Sequence, residues 1–274
     1  MRFVAYSVPE TLILGWEFKG SVDWESLIFQ RRQRMKAVIL AAGMGIRLRP
    51  ATDEEPKCMV PVNGIRIIDK QIDNLLSSGV NEIFVVSGYK SNLLETHLRA
   101  AYPCVKVVEN GRYAETNNMY SLFLAKDCVY GEEFILMNGD VYFDRGIIAG
   151  LLEGEGASRI ACDRSQYFAE SMKITLCGDK IDHISKAISE NDFFAVSIDV
   201  YRIGATDCRV LFEEVEDTIL NRKDENSWTE VALDKIFAKT DFRPYIVQGR
   251  WFEIDNREDL AKAEKIFSGD KLNA

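Results

Sequence analysis

The chain has 274 residues, 47% of them hydrophobic and 28% charged, enough for a large globular domain with a full core. With 34 basic and 43 acidic residues its net charge is -9, which argues against a general nucleic-acid or anionic-membrane surface and still leaves room for a local basic pocket. No apolar run approaches the roughly 18 residues a membrane span needs, and 6 cysteines without a C-x-x-C pair beside 2 histidines give little support to zinc or thiol chemistry.

Residues 1–34 read as an N-terminal extension ahead of the domain. Pro9 and Glu10 interrupt its apolar part, so it is not a secretory signal. Gln30 to Arg34, "QRRQR", stands just before Met35, and "MKAVILAAG" reads as a protein might begin. A basic partner-binding arm is the functional alternative for this segment. The domain is expected over residues 35–274, with its cysteines buried and reduced as in a cytoplasmic protein.

From Met35 the elements alternate. "KAVILAAG" is a continuous apolar strand. "IDKQIDNLLSSG" places Ile68, Ile72, Leu75 and Leu76 on one helical face, and Gly79 ends that helix. "NEIFVVSG" is a second buried strand, "SNLLETHLRAAY" a helix with Ser91 as its cap, and "VKVVEN" a third strand. "NNMYSLFLAKD" is helical and "EFILMNGD" a fourth strand. Buried strands separated by helices predict a largely parallel sheet covered on both faces. The second half is less regular: a hairpin around Gly178–Asp179, a long strand in "FFAVSIDVYRI", helices near 205–221 and 228–239, then "RPYIVQ", "WFEID" and a last helix from Asn256.

A strand running into a glycine turn exposes backbone N–H groups that can cradle phosphate. The dinucleotide fingerprint fails here, because Gly43 and Gly45 are followed by Leu48 at the third glycine position. No P-loop string exists, and "GYKS" at Gly88–Ser91 is a decoy. A third pattern fits. "LAAGMGIRLRPATDEEPK" resembles the signature of nucleotidyltransferases that activate sugar phosphates and related phospho-compounds, with Gly43, Gly45, Arg47, Leu48, Pro50, Pro56 and Lys57 in the expected order. The resemblance runs through most of residues 35–270. It implies an α/β fold, a three-layer α/β/α nucleotide-binding sandwich with a mixed, mostly parallel sheet. It also implies that the backbone at Ala42, Gly43 and Gly45 passes close to the base and triphosphate. Arg47 and Lys57 would neutralise phosphate oxygens on either side of the α-phosphorus.

Nucleotidyl transfer gathers several anions in one place, and magnesium is the usual remedy. Asp140 ends the apolar strand "FILMNGD", and Asp255 follows the strand "WFEID" just before a helix that Asn256 can cap. In the resembled family these two aspartates hold the metal, which assigns Mg²⁺ to Asp140 and Asp255. Asp144 and Asp259 are decoys, one at a helix start and one in a first helical turn. No general base is required, because a phosphate monoester loses its second proton near pH ~6 and is already a nucleophile in neutral solution.

"YAETNNMYSLFLAK" places Asn117, Tyr120 and Ser121 on one helical face and Met119, Leu122 and Phe123 on the other. Asn117 and Ser121 then face the nucleotide, or Asn117 simply caps the helix. This string is similar to the corresponding part of bacterial CTP:phosphocholine cytidylyltransferases, and "EID" matches as well. The similarity implies CTP as donor and a small phosphorylated acceptor, with Gly88 and Tyr89 touching the base. A quaternary ammonium would want aromatic faces and carboxylates, for which Trp228, Glu230, Glu253 and Tyr120 are the candidates; Trp228 and Tyr120 as core aromatics are the competing reading. A sugar-1-phosphate nucleotidyltransferase, and a non-catalytic nucleotide-binding regulatory module, are the alternatives for the whole chain.

Overall fold

The computed structural model describes residues 35–153 and 158–269. The expected extension over residues 1–34 lies outside the described residues.

The first strand, β1 (Lys36–Ala41), is the apolar run "KAVILA", and it leads into the glycine turn. A short ribbon follows, β2 (Pro61–Val62) paired with β3 (Ile65–Arg66). Then come α1 (Ile67–Ser77), β4 (Glu82–Ser87), α2 (Ser91–Ala101) and β5 (Val105–Glu109). Next are α3 (Asn118–Leu124), α4 (Lys126–Val129), β6 (Phe134–Asn138), β7 (Val141–Phe143) and α5 (Gly146–Leu151). The second half holds β8 (Ser158–Asp163), the hairpin β9 (Lys173–Cys177) and β10 (Lys180–Ser185), β11 (Ala195–Ile203), α6 (Ala205–Glu216) and α7 (Thr229–Ile236). It ends with β12 (Phe242–Ile246), β13 (Trp251–Glu253) and α8 (Arg257–Ile266).

Among the described residues nine strands share one mixed sheet, in the order β10-β9-β11-β6-β1-β4-β5, with β8 also on β11 and β12 on β8. The four strands β6, β1, β4 and β5 are parallel, with Val38 level with Phe84 on one side and Leu136 on the other. Strand β11 reverses direction against β6 and starts the antiparallel part. The pleat explains the layers. Val38 and Leu40 pack with Met119, Leu122, Leu211 and Leu233 from α3, α6 and α7. Ala37, Ile39 and Ala41 pack on the other face with Ile68, Leu75, Leu94 and Ile147 from α1, α2 and α5.

Some local details differ from the sequence reading. Ser91 does not cap α2: the cap position is Lys90, with φ 51, and the Ser91 hydroxyl meets that of Ser87 at 2.8 Å. The hydroxyl stays within the strand-to-helix turn because the chain enters α2 through a left-handed residue. Cys58, Cys162 and Cys208 are buried, but Cys104 and Cys177 are exposed, each at a loop or strand end. No helix among the described residues is long and apolar enough to cross a membrane.

One polar contact in the core positions the site. Gln71, fully buried on α1, donates from Nε2 to the carbonyls of Asn138 and Val141, each at 2.8 Å. Asn74, one turn on, donates to the Phe143 carbonyl at 2.8 Å. These bonds hold the backbone on both sides of Asp140. Gln71→Ala is expected to strand two carbonyls and lower stability by about 2–3 kcal/mol. Urea unfolding measures the cost.

Candidate active site

The glycine turn leaves the carboxyl end of β1, the usual place for ligands in an open α/β sheet. Gly45 has φ 59, and a Cβ there would stand 2.8 Å from Lys57 Cβ. A glycine therefore lets the turn lie on the stem of Lys57. Thr52 fastens the turn by donating to the Gly45 carbonyl at 2.9 Å. Leu48, fully buried with Tyr142, Ile254 and Phe267, anchors the short 3-10 turn that presents Arg47. Lys57 opens another 3-10 turn, fixed by the buried Cys58 and Met59.

Asp140 and Asp255 meet through a ribbon. Strand β7 pairs antiparallel with β13, Val141 opposite Glu253, and the Ile254 N–H donates to the Asp140 carbonyl at 3.0 Å. Asp140 precedes β7 and Asp255 follows β13, so both reach the same end of the ribbon. Lys57 Nζ lies between them, 2.7 Å from Asp140 Oδ2 and 2.8 Å from Asp255 Oδ1. Arg47 reaches the other oxygen of Asp255 at 2.9 Å. Burial works against the Lys57 charge, but the two carboxylates outweigh it and raise its pKa. Burial likewise opposes the Asp255 charge, and Lys57 and Arg47 still bring its carboxyl below the usual range. Arg49 pairs with Asp53 at 3.2 Å, away from this knot.

Asp140, Glu253 and Asp255 can each direct one oxygen to a point where all three lie within 4.8 Å of one another. Asp140 Oδ1 is buried with no hydrogen-bond partner among the described residues. An orphaned carboxylate oxygen in an all-oxygen set fits a hard divalent cation such as Mg²⁺. Of the decoys, Asp144 binds Arg250 at 2.8 Å, and Asp259 takes the Asn256 amide at 2.7 Å.

A cleft of about 360 Å³ opens in front of these groups. Ala42, Gly43, Asn117, Ser121, Trp228, Glu230 and Glu253 line it together with Arg47, Lys57, Asp140 and Asp255. Gly45, Gly88, Tyr89 and Tyr120 do not line it. A Cβ on Gly88 would stand 2.7 Å from the Ala42 carbonyl, and Tyr89 donates its N–H to that carbonyl at 3.0 Å. These two residues brace the turn from behind. Tyr120 packs against Phe123 beneath the Arg112 guanidinium. Asn117 is the cap of α3, as its alternative reading had it, and it also borders the cleft.

Several cleft residues escaped the sequence reading, among them Asn110, Asn138, Lys186 and Asp199. Asn110 is buried and donates to Ser121 and Thr116, both at 3.1 Å. Asp199 lies where β11 loses register with β8, with φ 57, and this bulge turns its carboxylate towards the cleft. An aspartate inside "AVSIDVYRI" was the available signal, because acids are depleted in strands. Tyr201 donates to Asp199 at 3.0 Å and lies 2.8 Å from Glu230, and the Asn138 amide holds the other Asp199 oxygen at 3.0 Å.

Burial, then the charges of Glu230 and Asp140, push the Asp199 carboxyl up to about 8 from the ordinary 3.8. Between these values the folded protein keeps a proton that the unfolded chain has lost, so stability falls as pH rises through the window. The thermal midpoint of the ligand-free protein is expected to drop from about pH 6 to about pH 9. Asp199→Asn should flatten part of that slope, while Glu253, pushed up to about 9 mainly by burial, keeps the remainder.

A glycine turn, a lysine and an arginine on paired carboxylates, and an adjacent cleft thus stand together at the carboxyl end of the parallel strands. The nucleotidyl transferase family model matches residues 36–152. A CTP:phosphoglutamine cytidylyltransferase of Campylobacter jejuni is 30% identical over 82% of this chain and 98% of its own length. The chain belongs to the nucleotidyltransferase family and is an enzyme of that class. The choline-phosphate cytidylyltransferase of Streptococcus pneumoniae is 45% identical over a shorter stretch, 34% of this chain and 40% of that protein. The solved structure of the CTP:phosphocholine cytidylyltransferase from Streptococcus pneumoniae superposes with a TM-score of 0.68 at 26% identity, covering 85% of this chain and 99% of that one.

Proposed function

We propose that the protein transfers CMP from CTP to a small phosphorylated alcohol or amine, a class that includes phosphocholine, and releases pyrophosphate. The observation that carries this reading is the seat of Lys57 between Asp140 and Asp255, beside Arg47 and the glycine turn. The relatives support the donor and the acceptor class: cytidylyltransferases named for phosphoglutamine and choline-phosphate are among them, beside one named for the phosphonate 2-aminoethylphosphonate.

On this reading the backbone at Ala42 and Gly43 lies along the nucleotide, and Gly45 gives the turn its close approach to Lys57. Asn117 and Ser121 face the base or ribose, with Gly88 and Tyr89 holding the turn in place. Arg47 and Lys57 leave their carboxylates to neutralise phosphate oxygens as charge shifts towards the departing pyrophosphate. Asp140 and Asp255 would hold Mg²⁺, with Glu253 within reach. The bound ion would supply charge neutralisation on the triphosphate. The acceptor lies along the Trp228 and Glu230 side, with Tyr120 behind that wall. Its phosphate is already a dianion near pH 7 and attacks the α-phosphorus in line.

Pyrophosphate release from each of the four nucleoside triphosphates, against a panel of phosphorylated acceptors, tests the assignment. CTP-dependent release with an amino-alcohol phosphate is the expected result. Release with a sugar 1-phosphate alone, or with no acceptor at all, would replace it.

A further inference from the structure

The acceptor wall holds a cation of its own. Lys186 follows β10 and lines the cleft, and its Nζ sits 4.8 Å over the centre of the Trp228 ring. Trp228 is 42% exposed, so this ring face belongs to the cleft and not to the core. The Lys186 ammonium donates no hydrogen bond and forms no ion pair among the described residues. Its three N–H donors are therefore unspent, beside a cavity that takes a phosphorylated compound.

Of the cleft's carboxylates apart from Asp140 and Asp255, Glu230 and Asp199 are already hydrogen-bonded, while Glu170 and Glu253 are not among the described residues. Glu230 is 3% exposed and lies 2.8 Å from the Tyr201 hydroxyl. Asp199 takes the Asn138 amide at 3.0 Å and the same tyrosine hydroxyl at 3.0 Å. A quaternary ammonium gains its affinity from an open aromatic face. Here the face carries Lys186, and a second fixed cation on it would meet like-charge repulsion. An oxygen-bearing group does the reverse: it accepts from the unspent ammonium and leaves the lysine on the ring.

Resting on the proposed transfer reaction, we infer that Lys186 is a specificity-determining residue that selects phosphomonoesters whose far end bears a carboxylate or carboxamide oxygen, and disfavours a quaternary ammonium there. The residue does not touch the reacting phosphorus. Its effect belongs to acceptor affinity, and so to KM more than to kcat.

The test compares three compounds. O-Phosphoserine differs from phosphoethanolamine by one carboxylate, and phosphocholine carries the quaternary ammonium. Calorimetry on the full-length protein reads their dissociation constants without turnover. The wild type is expected to bind O-phosphoserine about tenfold more tightly than phosphoethanolamine, and phosphocholine most weakly. Lys186→Met, which keeps the aliphatic stem at this exposed position, should erase the carboxylate preference and tighten phosphocholine. Lys186→Arg should retain the preference. An unchanged order of affinities in Lys186→Met overturns the inference, and so does a wild type that prefers phosphocholine. Pyrophosphate release is scored separately. The affinity pattern without any release would sink the proposed reaction and leave the role of Lys186 standing.

Discussion

Asp140→Asn and Lys57→Ala should each lower CTP-dependent turnover about a thousandfold, a loss of about 4 kcal/mol in transition-state stabilisation. The asparagine keeps the shape of the side chain and removes one negative charge. Asp140 Oδ1 has no hydrogen-bond partner to lose, and Lys57 keeps Asp255 at 2.8 Å. The alanine removes the cation that stands closest to both carboxylates. Asp255 remains paired with Arg47 at 2.9 Å, and the turn stays anchored by Cys58 and Met59. The fold should therefore survive both changes, with circular dichroism unaltered and a thermal midpoint within a few degrees of the wild type. Near-normal pyrophosphate release in both variants would remove the proposed mechanism. Loss of activity together with loss of the folded spectrum would assign these residues to structure.

Metal binding should respond to Lys57 in the opposite sense. In the ligand-free protein the lysine ammonium occupies oxygens of the same carboxylates that would hold a divalent ion. Two like unit charges at 4 Å repel by about 4 kcal/mol at an effective dielectric of about 20, and a divalent ion would feel more. A metal can enter this seat only as Lys57 leaves it. A triphosphate gives the lysine other anions to meet. Wild-type protein without nucleotide is thus expected to bind Mn²⁺ weakly, and Lys57→Met about tenfold more tightly or better. CTP should narrow the difference. Electron paramagnetic resonance of free Mn²⁺ measures both arms. Equal Mn²⁺ affinity in wild type and Lys57→Met, without nucleotide, would show that the lysine does not guard the seat.

Much of this molecule was legible from local pattern. The continuous apolar runs at β1, β4 and β6 announce strands buried on both faces, and the spacing of Ile68, Ile72 and Leu75 announces the helix that covers them. Asn256 caps α8 by accepting from the N–H groups of Glu258 and Asp259, as its place before an apolar helical face implied. These features are readable because each is set by neighbours within a few residues. The same holds for the glycine turn, whose backbone demands are written at Gly45 and around it.

What lay beyond the sequence is set by distant neighbours. The ribbon of β7 and β13 is only three residues on each side, too short to show a period, yet it brings Asp140 and Asp255 to Lys57. The carboxylate of Asp199 reaches the cleft because β11 slips register against β8, and no pattern within the strand records its partner. Trp228 was open to readings as a core ring or a cage wall; it carries Lys186, from a different part of the sheet, on its face. The sequence by itself determined the class of sheet, the glycine turn at the end of β1 and the residue types able to bind a metal. The tertiary structure alone decided which charges meet, because ion pairs and cleft walls depend on strand pairing between segments far apart in the chain.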